Sequence, residues 1–126
     1  CDHTVAALAQ SLLDNCGGAD VIFILTGSAT SDPADTGPIG LIAAGGELHH
    51  FGMPVDPGNL LFIGALGDVP VIGLPGCARA LALNGADWVL ERIICGLSVG
   101  GQDIQNMGVG GLLKEIAQRG HPRDPQ

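Results

Sequence analysis

DVIFILTGSATSDPAD, residues Asp20–Asp35, is the stretch that decides the fold. Val21–Leu25 is a continuous apolar run of strand length, the pattern of a strand covered on both faces. Thr26–Asp35 is small, polar and acidic, and reads as a loop. Asp35 or Thr36 stands where a cap is needed for a helix over Pro38–Ala44, which Gly45-Gly46 closes. Strand, small-residue loop and helix start form the repeating unit of an α/β sheet. Ligands collect beyond the carboxyl ends of such strands.

The same design recurs at Ile72-Gly73-Leu74-Pro75-Gly76-Cys77-Ala78-Arg79. Outward from these two units, Val5, Leu8, Ala9, Leu12 and Leu13 repeat with helical spacing, and Gly17-Gly18 ends that helix. Glu47–Phe51 reads as a strand, and Gly52–Asn59, with Pro54, Pro57 and Gly58, as irregular chain. Leu60–Leu66 and Val69–Leu74 read as strands joined by a tight turn at Gly67-Asp68. Helix signals resume at Cys77, and Asn84-Gly85 either interrupts that helix or caps a new one. Ala86, Val89, Leu90, Ile93, Ile94 and Leu97 form an apolar stripe that ends near Gly96. After a flexible Gly108–Gly111, a short helix is predicted over Gly111–Gln118. The domain is thus expected to span residues 1–117, with 118–126 as a tail or linker. The order predicts a three-layer α/β/α sandwich with a mixed sheet.

Composition agrees. A chain of 126 residues fits one domain with a real core, and its 46% hydrophobic but only 3% aromatic content, with 21 glycines, implies an aliphatic core with many tight turns. A formal net charge of −8 with five Lys and Arg argues against nucleic acid or an anionic membrane as partner. Cys1, Cys16, Cys77 and Cys95 lack metal-site spacing and read as reduced cysteines of a cytosol-like compartment. No apolar stretch approaches membrane-spanning length. A start at Cys1 without Met reads as an excerpt of a longer protein.

If the strands before the two loops run parallel, both loops rim one cleft. Helix N-termini there offer unpaired N–H groups and partial positive charge. Thr26, Ser28, Thr30 and Ser31 supply hydroxyls. Asp32 and Asp35 are candidates to hold Mg²⁺ or to accept N–H bonds from a ring amide. Arg79, in the first turn of the second helix, is the cation near the loops. Such a cleft suits a flat polar heterocycle carrying a phosphate. Each feature also has a plainer reading: Asp35 as a helix cap, Pro75-Gly76 as a turn, His49-His50 as one solvated and one packed histidine, and Trp88 with Arg92 as a surface cation–π pair.

In combination these residues resemble a known family. Asp20–Asp35 is similar to the strand and TGG-x-S/T-x-x-x-x-D loop of molybdopterin-binding domains, found in molybdopterin adenylyltransferases, molybdenum insertases and gephyrin. VPVIGLPG, Val69–Gly76, resembles the family's PV-x-G-LPG segment, and Pro57-Gly58 sits where the family has a PG between the loops. The likeness covers residues 2–97. HFGMPVDPGNLL (His50–Leu61), NGADWVLERII and MGVGGLLKEI (Met107–Ile116) are similar to bacterial members fused to a nucleotidyltransferase domain. The resemblance implies strands before residue 1, so that this chain is the second half of the domain. It also differs from the pattern: Ser28 replaces a glycine, Cys77-Ala78 replaces Asn-Pro, and Asp56 and Asn59 flank the PG where insertases carry lysines.

What the resemblance implies is binding of molybdopterin or molybdenum cofactor during its biosynthesis. Thr26, Gly27, Ser28 and Thr30 would contact the ligand, Asp35 would orient pterin N–H groups or Mg²⁺, and Pro75, Gly76, Cys77 and Arg79 would cradle the phosphate. Two alternatives stay open: nucleotidyl transfer to the molybdopterin phosphate, with Asp35 as catalytic residue and Asp32 and Asp35 on Mg²⁺, and a non-binding domain that positions a fused nucleotidyltransferase. A homo-oligomer is compatible with all three.

Overall fold

A computed structural model describes residues 1–113. The fold is mixed α/β with a mixed sheet and several helices. Helix α1 spans Val5–Asn15, strand β1 Ile22–Leu25, helix α2 Thr36–Ala43 and strand β2 Glu47–Phe51. A two-residue strand β3, Val55–Asp56, precedes β4 (Phe62–Leu66) and β5 (Val69–Leu74). A 3₁₀ turn at Gly76–Arg79, helix α3 (Gly85–Ile94), helix α4 (Gly101–Gln105) and strand β6 (Gly111–Leu112) complete the described chain.

Thr4 starts α1 through its hydroxyl, which accepts from the Ala7 N–H at 3.2 Å. Leu12 and Ala9 point inward from this helix and join Ile24, Leu41, Ala44, Phe62, Leu66 and Val71 in one apolar cluster. α1 and α2 approach closely because residue 40 is glycine: a Cβ there would stand 2.5 Å from Leu8 Cδ2. A second cluster joins Met53, Val55, Leu61, Ile63, Ile72, Ala86, Val89 and Ile104. Alternation along the strands explains the division. Phe62 and Val71 serve the first cluster, and their neighbours Ile63 and Ile72 the second.

The main sheet has the order β1-β5-β4-β2. β5 pairs antiparallel with β4, and β4 with β2, while β1 pairs parallel with β5 in the register Ile22↔Val71 to Leu25↔Leu74. The β4–β5 turn uses Gly67 at φ +60°, the left-handed conformation that the expected tight turn requires. β3 and β6 form a separate two-stranded parallel pair.

Three expectations are corrected. β1 is not covered on both faces: Phe23 and Leu25 are 44% and 42% exposed. It lies at the end of the sheet order, and none of its residues joins the second cluster. No long helix begins at Cys77; the chain makes one 3₁₀ turn and goes extended at Ala80 (ψ 160°) before α3 starts afresh at Gly85. Arg79 therefore closes a short turn instead of opening a helix. Gly111–Leu112 pairs with Val55–Asp56 instead of starting a helix. The rest of the predicted Gly111–Gln118 helix, and the tail 118–126, lie outside the described residues. α4 forms in a stretch to which the sequence assigned no element; Gly100 N–H donates to Asp103 Oδ2 at 2.8 Å at its start.

One close approach fixes how β5 sits on β4. Phe62 is 1% exposed and its ring covers the space where a Gly73 side chain would lie. Gly73→Ala should therefore cost about 1–3 kcal/mol by overpacking, read as a lowered midpoint in thermal unfolding. Gly17→Ala, with open space around it, should change stability by less than about 0.5 kcal/mol. Because the two residues touch, Gly73→Ala with Phe62→Leu should cost less than the sum of the single changes; additive losses would refute the contact's role.

Candidate functional site

Adjacent parallel strands deliver both small-residue loops to one place. Leu25 and Leu74 are register partners, so Thr26 and Pro75 leave the sheet side by side at the strands' carboxyl ends. The antiparallel partners bring a third segment there. Phe62, the first residue of β4, is opposite Gly73 and also pairs with Phe51, the last of β2. The connection Gly52–Leu61, with Pro57-Gly58, thus lies at the same end. It is knitted by Gly52 N–H to the Leu61 carbonyl at 2.7 Å and Met53 N–H to the Asn59 carbonyl at 3.1 Å.

The first loop is held mainly by its own side chains. The Thr26 hydroxyl donates to the Ser28 carbonyl at 2.6 Å and lies 3.1 Å from the hydroxyl of buried Thr30. Asp35 occupies the N-cap position of α2 but makes no side-chain cap bond. Its Oδ2 instead accepts from the backbone N–H of Ser31 at 2.7 Å and of Asp32 at 3.0 Å, folding the loop back on itself. Asp32 Oδ1 accepts from Ala34 N–H at 2.7 Å. Both carboxylates that were expected to meet a ligand or Mg²⁺ each have one oxygen engaged in shaping the loop. The other oxygen of each remains for a ligand.

This loop presents outward the exposed Gly27, Ser28, Ala29 and Ser31–Ala34, the acidic Asp32 among them. A Cβ at Gly27 or Gly76 would meet nothing within 4 Å, so the backbone at both positions is open to close approach. No backbone acceptor among the described residues takes the N–H of Gly27, Ser28 or Gly76. Arg79 is exposed, and no ion pair engages it among the described residues. Pro75 is buried. Cys77 is half-buried, and its Sγ accepts from the Nδ2 of Asn84 at 3.5 Å. Thr26 and Thr30 thus build the loop, while Gly27, Ser28, Gly76 and Arg79 face what could bind there.

Asn84 was not singled out as a site residue. It is fully buried and caps α3, its Oδ1 accepting from Ala86 N–H at 3.0 Å while its own N–H donates to Asp87 Oδ2 at 2.8 Å. Asp87 three residues after Asn84 is the sequence signal of this reciprocal cap. Phe62 was read only as part of the Leu60–Leu66 strand, yet its ring also bounds Gly37, where a Cβ would stand 3.1 Å from it and 3.6 Å from the Thr26 methyl.

Other expected features separate from this site. His49 is exposed, 3.6 Å from Glu47, and His50 packs under Gly101, one solvated and one packed as read. Arg92 donates to the Trp88 backbone carbonyl at 2.8 Å, which differs from the expected stacking on its ring. Three surface grooves, of about 530, 400 and 250 Å³, are lined by Trp88 and Arg92, by His49 and Asp68, and by Leu8 and Phe23 with their neighbours; no residue of Thr26–Asp35 or Pro75–Arg79 lines them. The loop pair is a rim of backbone, not part of these grooves. No group of three or more His, Cys, Asp or Glu able to hold a metal occurs among the described residues.

Comparison with protein-family models, curated proteins and solved structures finds no match to this chain.

The role of Asp35 in the loop is measurable. Asp35→Ala should cost about 1 kcal/mol locally, a hydrogen bond to a charged acceptor discounted for its partly exposed position. Amide exchange at Ser31 and Asp32 should then quicken roughly fivefold, with Val71 and Ile72 unaffected. Unchanged exchange at Ser31 would show that the loop holds its shape without the carboxylate.

Proposed function

We propose that the chain is a cytoplasmic α/β/α sandwich of the molybdopterin-binding type and binds molybdopterin, or the molybdenum cofactor, during cofactor biosynthesis. The observation that carries this reading is the parallel pairing of β1 with β5, which puts the two loops of the resemblance at one end of the sheet. Apolar clusters built from alternate residues of β4 and β5 support the layered arrangement. Four free cysteines suit a reducing compartment.

The residues present fit a pterin bearing a phosphate. Gly27 and Gly76 leave the backbone open to a flat ring or to phosphate oxygens, and the N–H groups of Gly27, Ser28 and Gly76 are donors for them. Arg79 supplies the cation, able to form a paired, charge-assisted contact with phosphate. The second oxygen of Asp35 would accept from a ring N–H, while its first keeps the loop in shape. Backbone recognition suits a chain of net charge −8, in which one arginine on the rim replaces a basic surface. With Asp32 and Asp35 already tied into the loop, binding rather than metal-assisted catalysis is the simpler use of these carboxylates.

Anaerobic titration calorimetry of the full chain with molybdopterin tests this. Wild type should give saturable heat below millimolar ligand, and Arg79→Ala should weaken binding roughly ten- to hundredfold through loss of one charged contact. Absence of heat at millimolar ligand, or equal affinity for Arg79→Ala, would sink the proposal.

A further inference from the structure

Asn84 sits where three segments of the site end meet. Its carboxamide is fully buried and both of its functional groups are used: Oδ1 accepts the Ala86 N–H at 3.0 Å, and Nδ2 donates to Cys77 Sγ at 3.5 Å. On a third side lies the Pro57-Gly58 turn. The Gly85 N–H donates to the Pro57 carbonyl at 2.8 Å. A Cβ at Gly58, whose φ is +126°, would come within 3.0 Å of Asn84 Oδ1 and 2.7 Å of Gly85 N. The buried side chain thus bonds the second loop to the start of α3, and the turn between the loops is held beside them by the Gly85 N–H.

The cap alone does not require asparagine. Serine or aspartate caps a helix about as well, but neither offers an amide donor to a sulfur. The donor matters because Gly76–Arg79 is a single short 3₁₀ turn, with Ala78 N–H donating to the Pro75 carbonyl and Ala80 N–H to the Cys77 carbonyl. The bond from Asn84 Nδ2 to Cys77 Sγ ties this turn to the helix behind it. It also turns the Cys77 thiol inward, so this residue offers the rim its backbone and not its sulfur.

We propose that Asn84 is a positioning residue for the second loop: through Cys77 it holds Gly76 and Arg79 where the ligand's phosphate would be received. This rests on the molybdopterin reading for its ligand, but the clamp itself can be measured without one. Breaking it should free the thiol as well as loosen the loop, and the two readouts separate the two ideas.

Asn84→Ser keeps a cap acceptor and removes the amide donor; Cys77→Ala breaks the same bond without touching α3; Cys77→Ser preserves an acceptor for Nδ2. In ligand-free protein, peptide-resolved alkylation by iodoacetamide should find Cys77 reacting roughly fivefold faster in Asn84→Ser than in wild type, the loss of one hydrogen bond. Cys16 serves as the internal reference and should not change. Molybdopterin affinity should fall roughly fivefold in Asn84→Ser and in Cys77→Ala, and less in Cys77→Ser than in Cys77→Ala. An unchanged Cys77 rate in folded Asn84→Ser overturns the clamp, as does equal weakening by Cys77→Ser and Cys77→Ala. A faster Cys77 rate together with no molybdopterin binding by wild type supports the clamp and rejects the ligand.

Discussion

The ring of Phe62 lies against the backbone of Gly73, in the volume a side chain on β5 would otherwise fill. From that contact the same ring reaches Gly37 in the first turn of α2, next to the Thr26 methyl. Four segments thus meet around one aromatic side chain: the start of β4, the end of β5, the start of α2 and the loop after β1. In a chain with 3% aromatic residues, such a ring does what several aliphatic side chains would otherwise share. It also couples stability to the site, since whatever shifts Phe62 shifts both loops at their roots.

Above that root the loops divide their polar groups into two sets. Thr26, Thr30 and one oxygen each of Asp32 and Asp35 bond to the loop itself, while Asp32 stays exposed. In the second loop the Cys77 thiol turns inward to Asn84. Donors left facing solvent are mostly backbone N–H groups at glycine and serine, with Arg79 beside them. A loop whose shape is set in advance would lose less entropy if a ligand bound there, so inward-facing groups would favour binding without touching the ligand.

Much of the fold was legible in the sequence because its signals are local. Val5–Leu13 carries helical spacing, and Gly67-Asp68 between two apolar runs fixes a hairpin within a few residues. What was not legible depends on partners far along the chain. That Ile22–Leu25 is an edge strand follows from which strand it pairs with, and nothing in its apolar run records that. Gly111-Leu112 read as a helix start because its partner, Val55-Asp56, lies more than fifty residues away. At Asn84-Gly85 the sequence allowed an interrupted helix or a new cap, and the reciprocal cap of Asn84 and Asp87 makes it a new helix. The site followed the same rule. Its loops could be found from Gly, Ser and Asp spacing, whereas their adjacency needed the parallel β1–β5 pairing, and Asn84 needed the packing of Gly58.

Asp35 shows why a matched position does not carry a role by itself. In the motif it resembles, the acidic residue ends the loop and is available to catalysis. Here its Oδ2 is 2.7 Å from Ser31 N–H and 3.0 Å from Asp32 N–H, bonds that bend the loop towards α2. A carboxylate holding two backbone donors is oriented by them, which suits a fixed acceptor better than a group that must rearrange about a metal. Arg79 has no such internal duty among the described residues, and it stands at the end of a turn tied down by Asn84 through Cys77. The chemistry of this rim therefore rests less on its acidic residue than on one arginine and the exposed N–H groups around it, an arrangement suited to receiving an anion and holding it still.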